Sequence, residues 1–179
     1  MRKLLFILFF ICSGNLLFSQ VKDTTKGKHF IGEHYGGGIV FFIDDSSTHG
    51  LIASPEDQTN SIEWGCMGYH VGASFMTDGK KNTALIVQKC GKRTAAGLCA
   101  NLTEGGFADW YLPSQSELNS MYQKADKIGN LSGGVYCSST EYSQRENKNN
   151  CWCQNFGKEG KQFFWDKKRK YFVRAIRQF

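Results

Sequence analysis

After its first 18 residues the sequence contains no long hydrophobic run, and its 20 glycines follow no Gly-X-Y repeat. The first absence argues against a later transmembrane helix, which needs about 20 consecutive apolar residues. The second excludes a collagen-like stalk, because a triple helix requires glycine at every third position. The sequence also lacks G-x-S-x-G, the nucleophile turn of α/β-hydrolases, and C-x-x-C, a usual spacing of structural zinc ligands.

The N-terminus has the three parts of a secretory signal peptide. Arg2 and Lys3 precede an apolar run at residues 4–12, and small residues follow near position 19. The run is too short to span a bilayer. We therefore predict that residues 1–19 are a signal peptide and that the protein is secreted or displayed at the cell surface. A lipid-modified Cys12 is the alternative, although the bulky residue before it disfavours that modification.

The rest of the chain has the length of one domain. Polar, lysine-rich residues 20–31 predict a flexible lead-in, and residues 32–179 predict a single domain with a substantial core. Removing Arg2 and Lys3 lowers the formal net charge from +6 to +4. So small a positive charge on an exported chain gives no reason to expect nucleic acid as a partner.

Six cysteines remain after the signal peptide: Cys66, Cys90, Cys99, Cys137, Cys151 and Cys153. An even number in an exported chain favours disulfides over zinc. Cys151 and Cys153 would point the same way on a strand, so a bond between these two is awkward. We expect one of them to pair with Cys137 across neighbouring strands. At least one further bond is expected among the first three cysteines.

Turn-forming residues divide the early part of the domain. The β-rich runs at residues 36–43 and 51–54 flank a cluster of Asp, Ser, Thr, His and Gly at 44–50, which predicts a β-hairpin. Residues 55–82 are rich in Gly, Asp, Asn and Ser, and they contain a cysteine. This composition predicts a long ordered loop that a disulfide holds in place.

Helices are predicted in the middle of the chain. Asn82 and Thr83 are suitable N-caps for a helix that begins at Ala84, and a second helix is predicted over residues 94–102. The clearest helix begins after Ser114, because Glu117 stands three residues later and completes a capping box. Apolar residues then recur every three or four positions until Gly129.

The last third of the chain predicts strands, at residues 135–139, 151–156, 162–165 and 171–179. A hairpin, then helices, then strands gives an α+β fold, because a doubly wound α/β fold would alternate strand and helix. No internal repeat is present.

A series of motifs resembles the Lcl C-terminal domain family. In chain order they are GGGIVFFID, HGLIAS, WGC, NTALIV, AAGLC, GGFADWYLPSQSELNSMY, SSTEY, CWCQNFGKEG and VRAIRQF. They cover most of residues 32–179. The resemblance implies a bacterial, exported domain with a C-type-lectin-like fold: antiparallel strands, two or three central helices and stabilising disulfides. The best-understood members resemble adhesin tips that bind sulfated polysaccharides.

The chain departs from that family in two places. It has no collagen-like stalk, and it has Cys137 where the family more often has tryptophan. It also lacks Glu-Pro-Asn, Gln-Pro-Asp and Trp-Asn-Asp, the tripeptides with which sugar-binding C-type lectins commonly hold calcium. Only two prolines, Pro55 and Pro113, are present. We therefore expect no resident metal or cofactor.

The candidate ligand site is a basic turn near the C-terminus, formed by Lys167, Lys168, Arg169 and Lys170. Four exposed cations could bind sulfate or phosphate groups of a polyanion through charge-assisted hydrogen bonds. An ordinary solvated turn is the alternative. The residues alone favour the solvated turn, and the binding interpretation is retained because the resemblance to adhesin domains points the same way.

Structural roles are predicted for a second set of residues: Asp109, Trp110, Ser114, Glu117, Glu141, Arg174 and Arg177. The two arginines are three apart on a predicted strand, so one of them should face the packed layer and require a carboxylate. Asp109 and Glu141 are the natural partners. Trp110 is expected to pack in the core, beside the turn that Asp109 helps to form.

We interpret the protein as an exported, non-catalytic binding module for an anionic polysaccharide or another cell-surface ligand. Two alternatives remain. Asp109, Glu117 and Glu141 could converge as the carboxylates of a glycan-acting enzyme. An exposed aromatic patch would instead indicate a structural or partner-binding envelope protein.

Overall fold

The computed structural model describes residues 27–144, 147–157 and 159–179. The predicted signal peptide and most of the lead-in lie outside the described residues. Within the described part of the chain, no helix is long and apolar enough to cross a membrane.

The first sheet has four antiparallel strands in the order β1-β2-β3-β9. Their bounds are β1 His34–Tyr35, β2 Gly38–Ile43, β3 Gly50–Ala53 and β9 Ile176–Gln178. The predicted hairpin is confirmed as β2 and β3. Its turn is closed because Asp44 N donates to His49 O and the Asp44 carboxylate accepts from Ser46.

The second sheet has five strands in the order β4-β8-β5-β6-β7. Their bounds are β4 Thr59–Ile62, β5 Val135–Glu141, β6 Asn150–Asn155, β7 Gln162–Asp166 and β8 Tyr171–Val173. Pairing is antiparallel except between β5 and β8, where Tyr136 and Phe172 are parallel partners.

The strand predicted over residues 171–179 is two strands that belong to different sheets. β8 pairs in the second sheet and β9 in the first, and Arg174 and Ala175 connect them. Arg174 donates to carbonyl oxygens of Ser54 and Asn130, so its side chain binds the surrounding loops at the crossing point. The C-terminal segment thereby joins the two sheets.

The first helix, α1 Gly79–Cys90, begins five residues before the predicted start. Its N-cap is Asp78, whose carboxylate accepts from Lys81 N at 2.8 Å. Asn82 and Thr83 are buried inside the helix and do not cap it. The prediction was wrong because these polar side chains make tertiary hydrogen bonds, Asn82 to the backbone of Phe75 and Thr83 to that of Leu112.

The later helices agree better with the predictions. α2 Ala95–Ala100 is capped by Thr94. α3 Gln115–Gln123 has the predicted capping box: Ser114 Oγ accepts from Glu117 N, and the Glu117 carboxylate accepts from Ser114 N. The chain leaves helical geometry at Lys124, so the last turn is a separate helix, α4 Ala125–Ile128, which ends before Gly129. The α+β arrangement is therefore confirmed.

One disulfide is present among the described residues, between Cys66 and Cys90, and it ties the long loop to the end of α1. The expectation of a bond in this region is confirmed. The predicted bond from Cys137 to Cys151 or Cys153 was wrong: these three and Cys99 are buried free thiols.

Cys137 and Cys153 do not form the predicted disulfide, although the strand register places them opposite each other. The sulfurs of Cys151 and Cys153 are 3.8 Å apart, well beyond a disulfide bond length of about 2.05 Å. Burial raises the pKa of Cys137 and Cys151 well above the usual range for thiols, which disfavours the thiolate that disulfide exchange requires. These cysteines act as small apolar core residues.

Replacing both Cys66 and Cys90 with serine should lower the free energy of unfolding by about 3 kcal/mol, because the bond restricts the unfolded chain. Urea unfolding followed by circular dichroism measures this. Peptide mapping without reductant should recover the bonded pair and alkylated Cys137, Cys151 and Cys153. A peptide in which Cys137 is bonded to Cys153 would contradict the assignment.

Candidate functional site

The structure places the predicted basic turn between β7 and β8 but divides its four residues. Lys168, Arg169 and Lys170 are exposed, whereas Lys167 is 0% exposed. The prediction of four exposed cations was therefore wrong for Lys167. We use "basic turn" below for residues 168–170.

Lys167 is buried because three groups surround its ammonium. Nζ lies 2.6 Å from Glu141 Oε1 and 3.0 Å from Tyr69 O, and it stands 4.6 Å from the centre of the Trp64 ring. A carboxylate, a carbonyl and an aromatic face together compensate the charge that water no longer solvates.

Glu141 completes the same network from the other side. Its carboxylate accepts hydrogen bonds from Val71 N at 3.0 Å and Gly72 N at 2.8 Å, in addition to the bond from Lys167. The expected partner of Glu141 was an arginine, and that expectation was wrong. The ion pair joins the end of β5, the loop at residues 69–72 and the start of the basic turn.

The exposed residues of the basic turn are also held in place. Lys168 N donates to Asp166 Oδ1 at 2.8 Å, and the Arg169 guanidinium lies 3.5 Å from the centre of the Trp165 ring. Lys170 Nζ is 3.2 Å from Glu63 Oε1 in an exposed pair, which contributes little to stability. The turn thus presents cations on a defined backbone.

Further exposed cations lie on segments that contact this turn. Lys148 precedes Asn149, whose carbonyl accepts from Lys167 N at 2.8 Å. Lys92 and Arg93 come just before Ala95, whose N–H donates to Glu63 O. Sequence analysis missed these residues because they are far from the turn along the chain. The pairing of β6 with β7 and the hydrogen bond from Ala95 N to Glu63 O bring their segments toward the turn.

A cavity of about 410 Å³ lies beside the network, between the loop of residues 66–71 and the end of α1. Tyr69, His70 and Lys89 line it together with the disulfide. Since Lys167 holds the Tyr69 carbonyl, the buried ion pair also shapes this cavity.

A second cavity, of about 460 Å³, is more apolar and lies away from the basic turn. Phe42, Leu51 and Phe179 line it, and Asp44 and Glu117 are its acidic members. Two carboxylates and no lysine or arginine make this cavity unsuitable for an anionic ligand.

The prediction of a buried or half-buried arginine–carboxylate pair is confirmed for Arg177, whose carboxylate partner Asp109 is partly exposed. Its guanidinium donates to both oxygens of Asp109, at 2.7 and 3.1 Å, and lies over the Phe107 ring. The hydrogen bonds from Arg177 lower the pKa of the Asp109 carboxyl. Trp110 is buried beside this turn, as predicted.

Arg174 is buried as well, which the sequence did not predict. It is 1% exposed and binds Asp57 Oδ1 at 2.8 Å. Alternation along one strand suggested that only one arginine faces inward, but the residues belong to different segments. Asp57 was missed because the loop that carries it gives no periodic pattern.

Glu117 is occupied by structural contacts. Its carboxylate accepts from Ser114 N, Gly79 N and the Tyr111 hydroxyl. Burial raises the pKa of Glu117 even though these donors oppose the shift. Each of the three carboxylates considered for catalysis, Asp109, Glu117 and Glu141, is thus bound to donors that organise the fold.

Comparison with known families identifies the family of this chain. The family model described as "Lcl C-terminal domain" matches residues 55–177, which is more than half of the chain. The chain belongs to the Lcl C-terminal domain family. In this Lcl C-terminal domain the match includes Lys167, the basic turn and both buried arginines, whereas the β2–β3 hairpin precedes it. No curated protein sequence matches the chain.

No group of three or more His, Cys, Asp and Glu side chains that could hold a metal ion occurs in the parts of the domain that the structure describes.

Replacing Lys167 with methionine should destabilise the domain by about 3–5 kcal/mol, because Glu141 would remain buried without its cation. The matched control is Lys168→Met, which removes the same charge from the neighbouring exposed position and should stay within about 0.5 kcal/mol of the parent. Chemical unfolding measures both. Equal losses in the two variants would contradict the assigned role of Lys167.

Proposed function

We propose that this Lcl C-terminal domain is an exported, non-catalytic binding module that recognises anionic polysaccharide through the basic turn. The observation that carries the proposal is the division of charge at residues 167–170. One lysine is buried and fixes the turn, and the three cations that follow are presented to solvent. Sulfate and carboxylate groups on a polymer are suitable partners for such a surface.

The surrounding cations support the same ligand class. Lys148, Lys92 and Arg93 stand on segments hydrogen-bonded to the turn or to its neighbour Glu63, and Lys89 lines the adjacent cavity. A polysaccharide carries many anionic groups in a row, so it can contact several of these cations at once. Such multivalent contact compensates for the small contribution of each exposed charge pair.

We also propose a fold type for this domain. We infer a C-type-lectin-like fold from the family resemblance together with the two mainly antiparallel sheets and the helices in the middle of the chain. The resemblance also suggests that the domain acts in adhesion at a bacterial surface. Recognition through cations rather than calcium predicts binding that a chelator does not abolish.

The enzyme alternative has weaker support. Glycosidases use two carboxylates that face the substrate. Here the carboxylates of Glu117 and Glu141 accept backbone N–H bonds, and Asp109 is held by an arginine in two-point contact. These contacts favour structural roles for the three residues.

Changing Lys168, Arg169 and Lys170 together to alanine should weaken binding to heparin about tenfold at 150 mM NaCl. The loss should shrink at 500 mM NaCl, because salt screens exposed charges, and chelator should change neither value. Isothermal titration calorimetry measures the affinities.

The matched control replaces Lys28, Lys124 and Lys127, three exposed cations elsewhere on the domain, with alanine. It removes the same net charge and should retain most of the affinity. If both triple variants lose affinity equally, only net charge matters and the basic turn is not the site. Undiminished binding at high salt would also count against the proposal.

A further inference from the structure

The outer face of the second sheet carries an aromatic cluster next to the basic turn. Trp152 on β6 is the direct cross-strand partner of Phe164 on β7. The Tyr142 ring stacks on Phe164 with centroids 4.0 Å apart and an interplanar angle of 14°. Trp152 meets both rings edge-on, at 5.6 and 6.1 Å. We call these three residues the aromatic platform.

The platform lies on the side of the sheet away from the core. Side chains alternate along a strand, and the neighbouring residues Cys151, Cys153, Phe163 and Trp165 pack in or against the core. Phe164 is 45% exposed, and Trp152 and Tyr142 are partly exposed. An exposed cluster of three large rings is unfavourable in water unless a ligand covers it.

Polar pairs bound the platform at both ends. On the same face of β6 and β7, Asn150 pairs with Asp166 at one end, and Gln154 pairs with Gln162 at the other. On this face, the aromatic pair Trp152–Phe164 therefore lies between two polar cross-strand pairs. An interface for a folded protein would need a much larger area.

The glutamine end contains an unsatisfied acceptor. Gln162 Nε2 donates to Gln154 Oε1, and Gln115 Nε2 donates to Gln162 Oε1, so the amide orientations are linked. Gln115 is 8% exposed, and its Oε1 has no donor among the described residues. Gln115 Oε1 and Gln154 are buried, so Gln162 is the partly exposed side chain at this end of the platform.

We propose that the aromatic platform is a sugar-binding subsite, on which a pyranose ring of a glycan stacks. The C–H groups on the face of a pyranose match the negative face of an aromatic ring, and its equatorial hydroxyls can bond to the flanking Asn, Asp and Gln side chains. The inference rests on the proposed polysaccharide function. It assigns recognition of the sugar ring to a surface separate from the cations.

The two surfaces can bind one chain because β7 connects them. Lys168 follows Phe164 by four residues, so the two lie at most about 13 Å apart at about 3.3 Å per residue, and closer where the chain turns after Asp166. A glycan of a few sugar units could therefore place a ring on the platform and its anionic groups at the basic turn.

The test compares Phe164→Ala with Phe30→Ala, which removes an equally large and even more exposed ring from outside the platform. Both are surface changes that should leave the fold intact, as thermal unfolding can verify. Binding is measured on a panel of neutral and sulfated glycans, and by calorimetry with heparin oligosaccharide at 150 and 500 mM NaCl. The triple alanine variant of the basic turn is included.

We expect Phe164→Ala to weaken heparin binding about tenfold at both salt concentrations, because stacking on an aromatic ring is not screened by ions. Phe30→Ala should bind as the parent does. The basic-turn variant should lose affinity mainly at 150 mM. Phe164→Tyr, which retains the ring, should restore binding.

The outcomes separate the two proposals. If the basic-turn variant loses affinity and Phe164→Ala does not, the platform inference is overturned and the proposed function stands. If the parent binds only neutral glycans and Phe164→Ala abolishes that binding, the platform stands and the anionic ligand is wrong. If the parent binds no glycan on the panel, or if Phe30→Ala is as damaging as Phe164→Ala, the platform is not a sugar site.

Discussion

The buried ion pair between Lys167 and Glu141 is the interaction on which the rest of the proposed binding surface depends. It joins three segments that are far apart in sequence: the loop at residues 69–72, the end of β5 and the turn after β7. A pair with 0% exposure on both side chains is not an efficient source of stability, because desolvation offsets most of the attraction. Its value lies in specificity, since the ammonium and carboxylate have few other positions in which their hydrogen bonds are satisfied.

Two further cations are buried near the C-terminus. Arg174 and Arg177 are consecutive cations on a short segment, yet both face inward, where Asp57 and Asp109 bind them. Each pair ties the crossing segment to a loop, and together they hold the two sheets in their relative position. The exposed cations include those of the basic turn and its neighbours. The number of cations that reach solvent is therefore smaller than the sequence suggests.

The helix start and the hairpin that the sequence predicted correctly depend on local patterns. A capping box needs only Ser114 and Glu117 at the right spacing, and the β2–β3 hairpin needs only two apolar runs around a turn. The failures all concern tertiary partners. Asn82 resembles a cap but binds Phe75, and Lys167 resembles its exposed neighbours but meets Glu141, which is 26 residues away. Composition cannot distinguish a buried lysine from an exposed one when the burying groups come from other parts of the chain.

The sequence alone does not reveal the aromatic platform, whereas the strand pairing does. Tyr142, Trp152 and Phe164 are separated by polar loops, and only strand register sets their rings against one another. The two surfaces also respond differently to their surroundings. Charge contacts at the basic turn weaken as ionic strength rises, whereas stacking on the platform does not. The proposed site would keep part of its affinity when salt screens the charge contacts. It would also discriminate among ligands, because a ligand would have to offer both an anionic group and a sugar ring.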